Sequence, residues 1–236
     1  MKIIGIIPAR GGSKGIPQKN IIDVCGHPLI SYSIKLGNKL VENKIIHRCI
    51  VSTDCKEISA ISLNYGGDVP FLRPRSIAGD RSKSIEYIIH AIDFLDEDYD
   101  AVLILQPTSP LRKVHDVKKA IELINKKNID SVISCYKEEY ISEYVAYELL
   151  TDKILQPKNI NHNKGVARQE IKSSFIRNGA IYLTKMSYFR KTSQIISDNP
   201  GLIEMKKKYS IDVDTFDDLD LLRAFISYEN WNTREQ

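Results

Sequence analysis

A chain of 236 residues can bury a sizeable core, and it fits one large domain or one domain carrying a substantial insertion. Apolar residues at 42% and charged residues at 27% are ordinary for a globular protein and exclude a disordered or collagen-like chain. The net charge of +4 suits small anionic ligands but is too weak and too scattered to argue for nucleic acid, and the densest basic run, Lys206-Lys207-Lys208, reads as solvated surface.

The first predicted element is a strand over Ile3 to Ile7, short and β-branched, as a strand covered on both faces should be. It runs directly into Arg10-Gly11-Gly12-Ser13-Lys14-Gly15, with Lys19-Asn20 just beyond. Glycines let backbone N–H groups approach an anion, and Arg10, Lys14 and Lys19 add charge, so the loop reads as a phosphate cradle. A tight turn after a core strand would also use glycine, but it would need neither cation. The residue order fits neither the P-loop nor G-x-G-x-x-G, and no helical pattern begins before Pro28-Leu29, so the loop is long.

Helix and strand patterns then alternate. Leu29, Ser33, Leu36 and Leu40 share a helix face, Ile45 to Val51 is strand-like, and Val51-Ser52-Thr53-Asp54 closes that strand. A second apolar helix face joins Ile85, Ile88, Ile89, Ile92 and Leu95, followed by a strand over Ala101 to Leu105 that ends at Gln106. Val117, Ala120, Ile121 and Ile124 mark a third helix, and Ser131 to Cys135 a further strand. This rhythm implies βαβ units, a mainly parallel sheet and a three-layer α/β sandwich, with ligands at the carboxyl ends of the strands.

The rhythm breaks after Cys135. Residues 136–167 carry several tyrosines, an Asn-rich stretch and two short apolar patches, Val145-Ala146-Tyr147 and Ile154-Leu155, that suit a hairpin. The segment is expected to be an insertion within a single domain over 1–236, fitted either to a protein interface or to a surface hairpin packed on its own sheet. Cys25, Cys49, Cys55 and Cys135 show no metal-ligand spacing and read as reduced thiols, and the five histidines share no spacing. With no signal peptide and no apolar run long enough to span a bilayer, the expected setting is cytoplasmic, without membrane or nucleic-acid partners.

Near the end, Ser210-Ile211-Asp212-Val213-Asp214-Thr215 alternates polar and apolar residues. In an extended strand that spacing puts both carboxylates on one face, a donor set suited to Mg2+ (or Mn2+), which takes one or two carboxylates and completes its shell with water and substrate phosphate oxygens. Thr215 and Asp218 also form a T-x-x-D cap before a helix with Leu219, Leu222 and Ile226 on one face.

Five blocks, the opening Arg10-to-Pro17 loop, Val51-Ser52-Thr53-Asp54, Leu105-Gln106-Pro107-Thr108-Ser109-Pro110-Leu111-Arg112, Asn178-Gly179-Ala180-Ile181-Tyr182 and Ser210-to-Thr215, stand in an order that resembles the acylneuraminate cytidylyltransferases, the CMP-sialic acid synthetases and their legionaminic and pseudaminic relatives. The resemblance spans nearly the whole chain. It implies a Rossmann-like nucleotidyltransferase sheet, a homodimer built by the insertion, and transfer of CMP from CTP to an acidic nine-carbon sugar with release of pyrophosphate. By the same resemblance Arg10, Ser13, Lys14 and Lys19 hold the triphosphate, Asn20, Arg73, Ser82 and Ser84 surround the nucleoside, and Gln106, Arg168, Gln169, Asn178 and Tyr182 face the sugar. Asp212 and Asp214 hold the metal and, with Arg10 and Lys14, carry the catalytic charge. N-acetylneuraminic acid is the first acceptor this implies, with legionaminic, pseudaminic or 3-deoxy-octulosonic acid as alternatives. An arginine that the family places two residues before the Asn of Asn-Gly is Ile176 here, with Arg177 next to it, and Lys137 is an uncertain counterpart of a family lysine, so the sugar side departs from the pattern. A glycosyltransferase could use Asp-Val-Asp but would not need a triphosphate cradle, and a non-catalytic nucleotide-binding protein would need neither metal acid.

Overall fold

The computed structural model describes residues 1–79, 81–126, 128–139, 145–161 and 173–229. In chain order the elements are β1 (Ile3–Pro8), the two-residue pair β2 (Asp23–Val24) and β3 (His27–Pro28), α1 (Leu29–Glu42), β4 (Arg48–Ser52), α2 (Lys56–Asn64), α3 (Ser84–Leu95), β5 (Ala101–Ile104), α4 (Val114–Ile124), β6 (Ser131–Glu138), β7 (Tyr147–Thr151), β8 (Ile154–Pro157), β9 (Ser174–Lys185), α5 (Met186–Thr192), β10 (Gly201–Glu204) and α6 (Phe216–Glu229).

Six strands form the central sheet in the order β10-β6-β9-β5-β1-β4. All run parallel except β9, which is antiparallel to both β5 and β6. The pleat decides the layers. Ile3, Ile7, Val51 and Leu103 face a core shared with Ile30, Ile34 and Leu40 of α1, Ile58 of α2 and Val117, Ala120 and Ile124 of α4. Ile4, Ile6, Ile50, Val102 and Ile104 point the other way, onto Tyr87, Ile88 and Ala91 of α3 and Met186 and Phe189 of α5. The result is the expected three-layer α/β sandwich. Cys49 illustrates the closeness of the first interface: a Cβ at Gly37 of α1 would lie 2.5 Å from its Sγ and one at Gly5 of β1 3.0 Å away, so the thiol fills a slot between two glycines. Burial pushes that thiol up to about 12.

Since β4 lies on one side of β1 and β5 on the other, the direction in which strands are added to the sheet reverses at β1, and the crevice at the carboxyl ends of β1 and β5 is the topological switch point where α/β sheets bind ligands. A third apolar cluster, Ile16, Val24, Leu29, Tyr32, Leu111, Val213, Leu219, Leu222 and Ile226, seats α6 beneath that crevice.

Three local expectations change. The strand predicted from Ile45 begins at Arg48, because Ile45 and Ile46 turn back to bond the end of α1 at Leu40. The Asn178-Gly179 pair, which as a turn dipeptide should open a late strand, lies instead inside β9, at a bulge. β6 runs on to Glu138 and pairs with Ser174–Ile176, so residues 136–138 extend the central sheet before the hairpin of β7 and β8 begins. In that hairpin Leu149, Leu150, Ile154 and Leu155 are exposed. Residues 140–144 and 162–167 of the expected insertion lie outside the described residues.

Candidate active site

The loop after β1 is anchored before any ligand is considered. The Ala9 N–H donates to the Ser52 carbonyl at 3.0 Å, extending the β1–β4 pairing by one bond, and the Gly11 N–H donates to Asp54 Oδ1 at 3.0 Å. Asn20, buried, donates its side-chain amide to the Arg10 carbonyl at 2.9 Å. Lys19 Nζ reaches the other end of the chain, donating to the Val213 carbonyl and Asp214 Oδ1, each at 2.9 Å. At Gly15 a Cβ would stand 2.5 Å from the Asp214 carbonyl oxygen, so only glycine lets the two segments touch, whereas a Cβ at Gly12 would meet nothing within 4 Å.

Asp212 and Asp214 lie in no regular strand, contrary to the expectation; the segment holds the neighbouring loop through one backbone bond, Val213 N–H to the Thr108 carbonyl at 2.9 Å. The alternation survives because Val213 is fully buried in the α6 cluster, and both carboxylates line the same cavity. Burial holds the Asp212 carboxyl above the usual carboxylate range; the Asp214 charge adds to this, while Thr108, Ser109 and Lys19 oppose it. The T-x-x-D cap forms as expected: Asp218 Oδ2 accepts the Thr215 N–H at 2.8 Å and the Thr215 hydroxyl at 2.7 Å, and Asp218 N–H returns to Thr215 Oγ1 at 3.2 Å.

On the β9 side, Ile133 pairs with Tyr182 but Cys135 with Arg177, so between these pairs one residue of β6 faces four of β9 and the surplus bulges around Gly179. Gly179 takes φ +73°. Its missing side chain makes room for Gln106 Oε1, Asp212 Oδ2 and Ser109 Oγ, which would lie 2.8, 3.0 and 3.0 Å from a Cβ. Asn178, 2% exposed, donates to Ser210 Oγ at 2.8 Å, and its Oδ1 accepts the Ser134 hydroxyl at 2.6 Å. Its side chain is thus spent on fixing the bulge. The Ser109 hydroxyl lies 3.1 Å from the Asn178 carbonyl and 3.3 Å from Asp212 Oδ1, both acceptors for its one proton.

The remaining wall comes from the segment before α3. Arg73, 5% exposed, packs over the Tyr87 ring at 5.6 Å and lies 3.9 Å from Asp54 Oδ1, and its Nε has no hydrogen-bond partner among the described residues. Burial lowers its pKa, with Asp54 and Tyr87 opposing and Arg10 adding to the drop.

One cavity of about 660 Å3 gathers these groups at the switch point. Arg10, Ser13, Lys14, Lys19, Asn20, Arg73, Ser82, Ser84, Gln106, Asp212 and Asp214 all line it. Asn178 and Tyr182 do not; Tyr182 lies half-buried behind the bulge with the Arg177 guanidinium 5.9 Å from its ring centre. Arg168 and Gln169 fall outside the described residues. Sequence reasoning passed over Tyr87, which reads as one more apolar position of α3, and Arg112, a buried arginine behind the wall. Among the described residues no group of three or more His, Cys, Asp or Glu could hold a metal ion, but Mg2+ takes one or two carboxylates and completes its shell with water and other oxygens, and Asp212 and Asp214, lining one cavity, fit that set.

Comparison with known proteins agrees with this geometry. The family model described as Cytidylyltransferase matches residues 4–233. An N-acylneuraminate cytidylyltransferase of Streptococcus agalactiae serotype III is 32% identical over 222 residues, 92% of this chain but 52% of its own, so the chain spans about half the length of that relative. A pseudaminic acid cytidylyltransferase of Campylobacter jejuni is 30% identical over 226 residues, 94% of this chain and 95% of the relative. Among solved structures, a CMP:2-keto-3-deoxy-manno-octonic acid synthetase complexed with CTP superposes with a TM-score of 0.71 at 17% identity, covering 97% of this chain and all of that one, which speaks to the fold. Matched across nearly its whole length, the chain belongs to the cytidylyltransferase family.

Proposed function

We propose that this protein transfers CMP from CTP to the anomeric hydroxyl of an acidic nine-carbon sugar, N-acetylneuraminic acid in the first instance, and releases pyrophosphate. The observation that carries this reading is the chemistry of a single cavity, lined together by the cations Arg10, Lys14, Lys19 and Arg73 and by the paired carboxylates Asp212 and Asp214. Cations placed before the reaction cost no reorganisation when charge shifts onto the leaving pyrophosphate, so positioning and electrostatics do most of the work in such a displacement. The sugar hydroxyl attacks the α-phosphorus, the bond to the bridging oxygen of the pyrophosphate breaks, and the hydroxyl proton is lost.

In this reading Arg10, Ser13, Lys14 and Lys19 hold the triphosphate, and Asn20, Arg73, Ser82 and Ser84 surround the nucleoside. Gln106, beside the Gly179 bulge, faces the sugar, with Tyr182 behind it and Arg168 and Gln169 assigned by resemblance. Mg2+ (or Mn2+) on Asp212 and Asp214 would supply charge neutralisation on the transferring and leaving phosphates. The exposed apolar residues of the β7–β8 hairpin support a homodimer made through that segment. No helix among the described residues is long and apolar enough to cross a membrane, which accords with a cytoplasmic enzyme.

Pseudaminic acid is the second acceptor to be considered, because the relative named for it matches this chain over 95% of its own length. Pyrophosphate release from CTP and Mg2+, measured against a panel of nonulosonic acids, tests both. Turnover with one acid, and its loss in Asp212→Ala and Asp214→Ala at unchanged fold, is the expected result. Absence of turnover with every acid, or near-normal release by both variants at limiting Mg2+, would overturn the assignment.

A further inference from the structure

Arg112 is 3% exposed and lies among no carboxylates at ion-pair distance in the described structure. Its guanidinium is spread over three elements instead. Nη1 donates to the Ala180 carbonyl at 3.0 Å, and Nη2 donates to the Gln106 carbonyl at 2.8 Å and to the Ser33 hydroxyl of α1. Ser33 in turn stands 3.4 Å from the same Gln106 carbonyl, closing a small ring of polar contacts inside the core. A buried cation held only by neutral acceptors is costly, and burial draws this one down to about 9 against the support of nearby negative groups, Asp212 among them. Such a cost at a position where a methionine or leucine would pack is unexplained by stability.

What the fork joins gives the reason. Gln106 lies two residues beyond the end of β5 and Ala180 belongs to the bulge of β9, and close to both Gln106 Oε1, Asp212 and Ser109 crowd against Gly179. A planar donor fork fixes both the distance and the angle between two carbonyls, which a single-point ammonium does not. We propose that Arg112 is a positioning residue for the sugar side of the cavity, setting Gln106 and the Gly179 bulge at the separation the acceptor sugar requires. The proposal rests on the cytidylyltransferase reading and concerns the acceptor half of the site alone.

Arg112→Lys keeps a nitrogen donor at the end of a long side chain and loses the fork. Its KM for the acid sugar is expected to rise at least ~10-fold and kcat to fall, as when a reacting group is misplaced by a fraction of an ångström, while CTP affinity by titration calorimetry stays within about twofold of wild type. A purely structural role would lower the melting temperature and the active fraction and leave both KM values alone. Ser33→Ala, which removes one acceptor and leaves Arg112 in place, should move the sugar KM in the same direction by a smaller factor, and it serves if the lysine variant does not fold. Hydrogen exchange supplies a readout independent of activity: in either variant protection should fall over 105–109 and 178–181 and not over 10–20. If that change occurs while wild type shows no turnover with any acid sugar, the tether stands and the catalytic reading fails. If turnover is present but the sugar KM and the exchange at those two segments match wild type in both variants, the positioning role is refuted.

Discussion

Replacing Gly179 by alanine tests whether the bulge of β9 shapes the acceptor side. Two costs can be worked out. At φ +73° a residue with a Cβ loses ~1–2 kcal/mol relative to glycine. The new methyl would also lie 2.8 Å from Gln106 Oε1, 3.0 Å from Asp212 Oδ2 and 3.0 Å from Ser109 Oγ, distances no carbon holds against oxygen. All three neighbours are side-chain ends, so they can swing aside at about 1 kcal/mol in strained rotamers. The combined loss of ~2–3 kcal/mol should lower the melting temperature by about 4–12 °C for a chain of this size. The functional loss should be larger in proportion, because the groups that yield are the ones proposed to face the sugar and the metal, and displacement of that order costs about a hundredfold in turnover. Thermal melting by circular dichroism, CTP titration and pyrophosphate release would be measured on the same preparation. An alanine variant that melts with wild type and turns over normally would show that the bulge relaxes freely and plays no part in shaping the site.

Four further outcomes are expected. Gly12→Ala, where a Cβ meets nothing within 4 Å, should leave melting unchanged yet weaken CTP binding, since the open space is where phosphate would approach the backbone; unchanged affinity would take Gly12 off the phosphate path. Lys14→Ala should weaken CTP far more than cytidine, and equal losses for the two ligands would remove the residue from the triphosphate. Asp218→Ala should cost about 1 kcal/mol through the lost cap of α6. Although burial works against it, the Thr215 hydroxyl and the N–H groups of Thr215 and Asp214 lower the Asp218 pKa, so this contribution is complete above the unfolded carboxylate value of about 4 and disappears as pH falls below it; a wild-type advantage in urea melts that persisted at pH ~2 would contradict the assignment. Cys49, its thiol pushed up to about 12 by burial, should resist iodoacetamide at pH ~8 until the chain is unfolded, and its labelling in the native protein, read by mass spectrometry, would mean that the glycine slot opens.

Much of the layout was legible because it follows from patterns of two and 3.6 residues. Continuous β-branched runs could only be strands covered on both faces, and their alternation with amphipathic faces such as Leu29, Ser33, Leu36 and Leu40 left little choice but a mainly parallel sheet. The cations of the opening loop stood out for a chemical reason, since a turn needs none beside its glycines, and Arg10, Lys14 and Lys19 all line the cavity. Asp212 and Asp214 were correctly placed on one side, although through a mistaken element: Val213 is pinned in the α6 cluster, and that anchor rather than a sheet ladder makes the carboxylates share a cavity. What escaped depends on contacts between distant segments. Nothing local says that Asn178 is consumed by Ser210 and Ser134, or that β9 carries three surplus residues against β6. Arg112 escaped because charged residues read as exposed, and Tyr87 because an aromatic on an apolar helix face needs no further explanation.

The two ends of the chain meet in the site, and the manner of their meeting limits how the site can work. Gly15 touches the Asp214 backbone, and Lys19 grips both the Val213 carbonyl and the Asp214 carboxylate, so the opening loop and the acidic segment form one unit. Lys19 is only 15% exposed at its side chain while Asp214 is 73% exposed, which puts the shielded partner on the side of the loop and leaves the carboxylate's second oxygen open to the cavity. A pair this exposed on one side contributes little to stability. Its effect is on charge: Asp212 already resists ionisation because of burial and the neighbouring Asp214, and the Lys19 ammonium offsets part of that repulsion. The same ammonium lies within a cavity that Arg10, Lys14 and Arg73 also line. In the proposed reading, triphosphate entering this space would compete with Asp214 for Lys19, and each step of Lys19 toward phosphate would release negative charge on the acid pair where a divalent cation would bind. Nucleotide and metal are thereby expected to strengthen one another's binding through a residue that touches both regions, which is the reciprocity that linkage demands.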